Sequence, residues 1–254
     1  MIKNILIIGF ILFQFTGQSQ GITGNISNSS TDQRQTSNFR WMNALNNDMS
    51  SLESCYTSNP IKVFLDATVV ESINGIKDHY KSNSIKIDSI WTTFKIKANN
   101  IYNYEIGGFK SGKEIFMHLI ITDSSKDDKR TFEFIARSSH VQPHDEELNT
   151  RRKKWVELCN MHNAGNLVRE LYHNPSVYYS HRPPTTDREA LISEYGYMNN
   201  PGYSLKLSPI HIETVTENLA FEIGQCEGSY NGKYILIWRK DPVTGWKILV
   251  DSNI

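Results

Sequence analysis

The stretch LAFEIGQCEGSYNGKYILIWRKDPVTGWKILVD, residues 219–251, reads as three successive antiparallel strands. Residues 219–230, 233–239 and 246–251 alternate in polarity, as half-buried strands do. Asn231-Gly232 supplies the positive backbone angles of a tight hairpin, and residues 241–245 make the second turn. One more alternating run, residues 203–214, precedes them, and 177–181 is strand-like until Pro183-Pro184 stops it. Before these strands come helical patterns. Trp155, Leu158, Cys159 and His162 fall on one helical face, Asn166 is placed to cap a short helix over 167–172, and Asp187 to cap another over 188–198. Helices first and an antiparallel sheet afterwards make an α+β architecture.

The same order is written twice. Trp41 and Trp155 each open a helical stretch, ending at Tyr56 before Ser58-Asn59-Pro60 and at Tyr172 before His173-Asn174-Pro175. Residues 73–80 match 188–195, Tyr104-Glu105-Ile106-Gly107 matches Phe221-Glu222-Ile223-Gly224, Gly112-Lys113 matches Gly232-Lys233, and 131–135 match 245–249. The offsets run from 114 to 120, the drift expected of short loop insertions. In this alignment Arg137 stands where the second copy has Asp251, and Phe132 replaces Trp246.

Trp155, Gly165-Asn166, Leu171-Tyr172, Ala220…Gly224, Gly232…Trp238 and Gly245-Trp246-Lys247-Ile248 together resemble the nuclear transport factor 2-like superfamily, and within it the SnoaL-like and DUF4440 groups. The resemblance implies two cone-shaped domains in tandem, each with three helices packed in a curved antiparallel sheet and a cavity at the wide end. It places a degenerate first domain at 39–139, a linker at 140–152 and a second domain at 153–254.

The remaining segments are addresses and leaders. Residues 1–19, MIKNILIIGFILFQFTGQS, carry Lys3 ahead of an apolar core and small residues before Gln20, the pattern of a secretory signal peptide. The apolar run is shorter than the roughly 20 residues that span a bilayer. Residues 20–38 are rich in Ser, Asn, Gln and Thr and read as a flexible leader. Export to the periplasm or medium, with no membrane insertion after cleavage, is the expectation. Lys plus Arg and Asp plus Glu are both 27, so the electrostatic footprint of a nucleic-acid binder is missing. The three cysteines, Cys55, Cys159 and Cys226, do not make a disulfide framework and read as buried thiols.

No cofactor or metal motif stands out; His140 and His144 beside Asp145, Glu146 and Glu147 read as a solvated linker, and His211-x-Glu213 lacks a third ligand. The resemblance implies relatives such as ketosteroid isomerase, polyketide cyclases and limonene epoxide hydrolase. Ketosteroid isomerase uses a carboxylate base with a tyrosine and a neutral aspartic acid as oxyanion donors. The resemblance puts the base at Ser180 or His181, the tyrosine near Leu158 and the aspartic acid at 235–237, none of which suits the role; Asp66 is opposite His181 in the first copy. The remaining candidates are His181, Glu222 and His162 as acid–base groups, and Tyr179, Tyr195, Trp238, Tyr178 and Asp251 as ligand contacts. Three readings follow: a binder of a small apolar or mixed-polarity ligand in the second cavity, an isomerase, lyase or hydrolase, or an interaction module whose two domains pair internally, with homodimerisation also open.

Overall fold

The computed structural model describes residues 36–139, 141, 143–180 and 183–254. The signal-like segment, most of the leader, His140 and His181 lie outside the described residues.

Two sheets organise the chain. The first unit runs α1 (Ser37–Asn47), a 3₁₀ helix (Met49–Cys55), β1 (Tyr56–Val63), β2 (Val69–Val70), α2 (Ile73–Asn83), β3 (Ser89–Lys97), β4 (Tyr102–Ser111), β5 (Glu114–Asp123) and β6 (Lys129–Arg137). Its strands order β2-β1-β6-β5-β4-β3. The second unit runs α3 (Asp145–Asn160), α4 (Ala164–Leu171), β7 (Tyr172–Tyr178), α5 (Arg188–Glu194), a 3₁₀ turn (Tyr195–Asn199), β8 (Leu205–Thr216), β9 (Leu219–Gly228), β10 (Gly232–Asp241) and β11 (Gly245–Ser252), with order β7-β11-β10-β9-β8. The fold is therefore α+β in two units, each with helices packed on one face of a mostly antiparallel sheet.

Local chemistry sets the helix ends. The Asp187 carboxylate accepts from the Ala190 amide at 2.8 Å and starts α5. The cap of α4 is Asn163, which accepts from the Asn166 amide at 3.0 Å; Gly165 and Asn166 lie inside that helix rather than before it. Helix α3 begins at Asp145, within the stretch read as linker, because Asp145, Glu146 and Glu147 in its first turn suit the positive end of the helix dipole. The strand read at 177–181 instead covers Tyr172–Tyr178.

Each sheet has two buried faces. Toward the helices, Trp41, Leu52, Ile76, Tyr80 and Phe109 form one core, and Trp155, Leu167, Tyr172, Tyr195 and Trp238 form another. The outer faces pack on each other. Tyr104, Ile106, Leu119, Phe132 and Phe134 of the first sheet share a cluster with Val177, Phe221, Ile223, Ile235 and Ile237 of the second. Phe134 meets Phe221 edge-on at 5.7 Å, and Ser139 N–H donates to the Val215 carbonyl at 3.0 Å. Burial of both faces explains the near-continuous apolar runs in β9 and β10.

A bulge in each last strand changes which of its side chains face the helices. The register of β6 on β5 shifts between Arg130 and Phe132, and that of β11 on β10 between Ile248 and Val250. The extra residue is Thr131 in one strand and Leu249 in the other. It breaks alternation, so Arg130 and Glu133 both join the inner polar cluster, as Ile248 and Asp251 both face the second cone. The parallel partners confirm the equivalence: Tyr56 pairs Arg130 and Lys62 pairs Glu133, as Tyr172 pairs Ile248 and Tyr178 pairs Asp251. Glu133, not Arg137, is thus the counterpart of Asp251, a correction of four residues in the last-strand match.

Candidate functional site in the second cone

Beneath the helices of the second unit lies a cavity of about 30 Å³, room for about two waters. Its walls are Trp155 from α3, Tyr195 and Met198 from the 3₁₀ turn, Cys226 from β9, and Tyr234 and Leu236 from β10; Asp251 lies at its floor. Tyr197 and Tyr230, both more than one-third exposed, form its mouth.

Asp251 is the polar centre. The Tyr172 hydroxyl donates to its Oδ2 at 2.6 Å, and the Tyr195 hydroxyl donates to the same oxygen. Trp155 Nε1–H donates to the Tyr172 hydroxyl at 3.2 Å, which fixes that ring. Oδ1 has no hydrogen-bond partner among the described residues. Burial pushes the Asp251 carboxyl up to about 6, against the two tyrosine bonds that lower it. Burial, then the adjacent Asp251 charge, lifts the Tyr172 and Tyr195 hydroxyls well above their ordinary range. A carboxyl near 6 exchanges a proton at physiological pH, so the cavity floor can accept a hydrogen bond, donate one or move a proton.

The first unit repeats this constellation closed. Trp41 Nε1–H donates to the Tyr56 hydroxyl at 2.9 Å, and Tyr56 and Tyr80 donate to Glu133 at 2.7 and 2.6 Å. Two cations have joined them. Lys62 Nζ donates to Glu133 at 2.8 Å and Arg130 Nη1 at 3.0 Å. Burial works against ionisation of Glu133, but Lys62 and Arg130 outweigh it and hold the acid at about 2.

Other sequence candidates are placed elsewhere. Glu222 is fully buried and accepts four bonds: from Arg152 Nε and Nη2 at 2.7 and 2.8 Å, the Tyr234 hydroxyl at 2.7 Å and Trp238 Nε1–H at 2.8 Å. Its lone pairs are committed, so it and Trp238 brace the sheet against α3 instead of meeting a ligand. His162 sits in the left-handed turn after α3 (φ 58°), its Nδ1 3.1 Å from the Met198 carbonyl, outside the cavity lining. Tyr179 turns to the other side of the sheet and stacks on Phe132 at 6.0 Å between the units. Tyr178 packs edge-on against Tyr195 at 5.2 Å, next to the floor. Of the seven candidates among the described residues, only Tyr195 and Asp251 line the cavity. His181 lies outside the described residues. Asp66 occupies an exposed turn and accepts from the Thr68 amide at 3.0 Å. His211 stacks on Phe94 at 4.8 Å between the sheets.

Tyr172 and Trp155 were missed as site residues because each reads as an ordinary core aromatic. The signal for them was the matched Trp and Tyr of the two copies, which closes onto an acid only when the bulge is known. All three cysteines are free and buried. Burial pushes the Cys159 and Cys226 thiols up to about 12, so neither is a nucleophile at neutral pH. Among the described residues no group of three His, Cys, Asp or Glu is placed to hold a metal, and no helix is long and apolar enough to cross a membrane.

No protein-family model and no curated protein matches the sequence. Solved structures do. A nuclear transport factor 2-like protein of unknown function from Shewanella oneidensis MR-1 is 15% identical, covering 42% of this chain and 96% of its own, at a TM-score of 0.38. A putative scytalone dehydratase from Novosphingobium aromaticivorans is 16% identical over 42% of this chain and 80% of its own, at 0.37. A ketosteroid isomerase-like protein from Erwinia carotovora atroseptica is 12% identical over 42% and 92%, at 0.37.

Proposed function

We propose that this is an exported protein whose second unit binds a small molecule in the aromatic cavity over Asp251, while the first unit serves as its permanent packing partner. The observation that carries the reading is the open Oδ1 of a buried acid at the floor of a cavity walled by Trp155, Tyr195 and Tyr234. Sites of this kind combine apolar walls with a few placed polar groups. In the first unit, Lys62 and Arg130 neutralise the equivalent acid internally, which fits a structural role there. Export rests on the pattern of residues 1–19; mass determination of the protein recovered from outside the cytosol should give Gln20 as the first residue.

A ligand that binds the folded state raises the melting temperature by mass action, by the equivalent of about 2.7 kcal/mol at a hundred times its dissociation constant. A thermal-shift screen of the whole chain is therefore the test. Leu236 lies directly across from Asp251 and lines the cavity, so Leu236→Trp should fill it and erase any true shift. Ligand shifts that survive Leu236→Trp place the site elsewhere.

A second reading is acid–base catalysis on the bound molecule, favoured specifically by the Asp251 carboxyl near 6 beside two tyrosine donors. Here Asp251 takes a proton from the substrate and returns it, while the Tyr172 and Tyr195 hydroxyls, which donate to its Oδ2, steady the carboxylate. Asp251→Asn abolishes turnover in that case, with ligand binding retained.

A further inference from the structure

The two copies of the acid–aromatic constellation differ in one respect that bears on the ligand. In the first unit the constellation holds cations of its own. Lys62 Nζ is 2.8 Å from Glu133 and lies over the Tyr80 ring at 4.6 Å from its centre. The Arg130 guanidinium lies over the Trp41 ring at 3.8 Å. In the second unit the equivalent acid and rings remain, as Asp251, Tyr195 and Trp155. The equivalents of the two cations are Tyr178 and Ile248. The Tyr178 hydroxyl points to Asn253 Oδ1 at 3.4 Å, and no basic side chain reaches Asp251 among the described residues. Cavity opens against the same three groups, Trp155, Tyr195 and Asp251, whose counterparts Lys62 and Arg130 contact in the first unit.

Resting on the ligand-binding reading above, we infer that the second cavity takes the cationic head of an organic ligand, a primary ammonium or a guanidinium on a slim chain, in the place that Lys62 and Arg130 occupy in the first unit. The head pairs with Asp251 Oδ1 and lies against the faces of Tyr195 and Trp155, whose ring quadrupoles attract a cation. The dimensions agree. About 30 Å³ accepts a compact head of a few heavy atoms, up to the four of a guanidinium, and not a fused ring system. The chain behind it leaves between Tyr197 and Tyr230. Pairing also removes the cost of a lone buried carboxylate, as Lys62 does for Glu133.

The experiment is calorimetric titration of the whole chain at pH 7.5 with n-butylammonium, n-butylguanidinium, the neutral alcohol 1-pentanol, and butyrate. N-acetyl-lysine methylamide is a fifth probe; tighter binding of it than of butylammonium assigns the cation to a peptide side chain, and the reverse assigns it to a free amine. Either cation should bind about tenfold or more tightly than pentanol, the worth of one charge-assisted bond, and butyrate should not bind. Asp251→Asn should reduce the cation preference to parity with pentanol. Tyr178→Lys installs the first unit's cation; it should hold the melting temperature at or above wild type and block the amines, a readout independent of whether Asp251→Asn folds. Pentanol binding as tightly as butylammonium, blocked by Leu236→Trp, overturns the cation inference and leaves the cavity reading intact. Amine binding unchanged in both Asp251→Asn and Tyr178→Lys also overturns it. Failure of every probe, neutral ones included, overturns both.

Discussion

Asp251 and Glu133 occupy equivalent positions and each accepts from an equivalent pair of tyrosines, yet their acidities differ by about four units, about 6 against about 2. Tyrosine hydrogen bonds are common to both, so the two cations beside Glu133 make the difference. For Asp251 the folded value lies above the ordinary aspartate value of about 3.9. The folded state therefore binds the proton more tightly than the unfolded chain, and stability falls as pH rises from about 4 to about 6. Two units correspond to about 3 kcal/mol. Asp251→Asn should remove that slope and make the protein more stable at pH 7, by about 1–3 kcal/mol in urea melts; an unchanged slope between pH 4 and 7 would rule out burial of an unpaired acid. Glu133 has the opposite sign. Its depressed value stabilises the fold above the ordinary glutamate range, and this is lost as pH falls toward 2. Glu133→Gln strands Lys62 and Arg130 in the core and should cost about 3–5 kcal/mol at pH 7, measured the same way.

The elements matter through where they end and where they bulge. Strict alternation along β11 would put Asp251 on the face opposite Ile248; the bulge at Leu249 instead lets both look into the cone. Helix α5 is only seven residues, too short to persist alone, and it leads directly into the 3₁₀ turn that carries Tyr195. Its Asp187 cap therefore holds a site residue at one remove. Asp187→Ala should cost about 1 kcal/mol and speed hydrogen exchange across residues 188–198 more than in β9 or β10; uniform change would mean that the cap is not local. Gly224 in β9 faces the Tyr234 ring so closely that an added Cβ would lie 2.1 Å from it. Gly224→Ala must displace Tyr234, which both lines the cavity and donates to Glu222, and so should lose ligand shifts as well as stability.

At the scale of the molecule, the outer face of each sheet is core only because the other unit covers it. Phe221, Ile223, Ile235 and Ile237 would face solvent in a free second unit. A chain of residues 143–254 should therefore self-associate, seen as a dimer or larger species by sedimentation, while the whole chain need not; a monodisperse, stable monomer would show the interface to be dispensable. Much of this architecture was legible in the sequence. The Asp187 cap, the paired tryptophans and the strands from 203 to 251 are local signals, fixed by capping chemistry and by alternation over a few residues; the tight turn expected at Asn231-Gly232 is instead a longer loop over 227–231, with its positive φ at Gly228. What the chain by itself determined is thus the order and kind of its elements, their repetition, and a neutral charge balance. The site was not local in that sense. Glu222 looked like a free acid until four donors from α3 and β10 closed on it; Tyr179, one residue past the end of β7, faced the other unit. Asp251 became a cavity floor through a one-residue bulge and two tyrosines drawn from distant segments. Tertiary structure alone decided this, because a carboxyl's protonation and partners depend on which groups are within a few ångströms of it, and that is a property of register and packing rather than of neighbours along the chain.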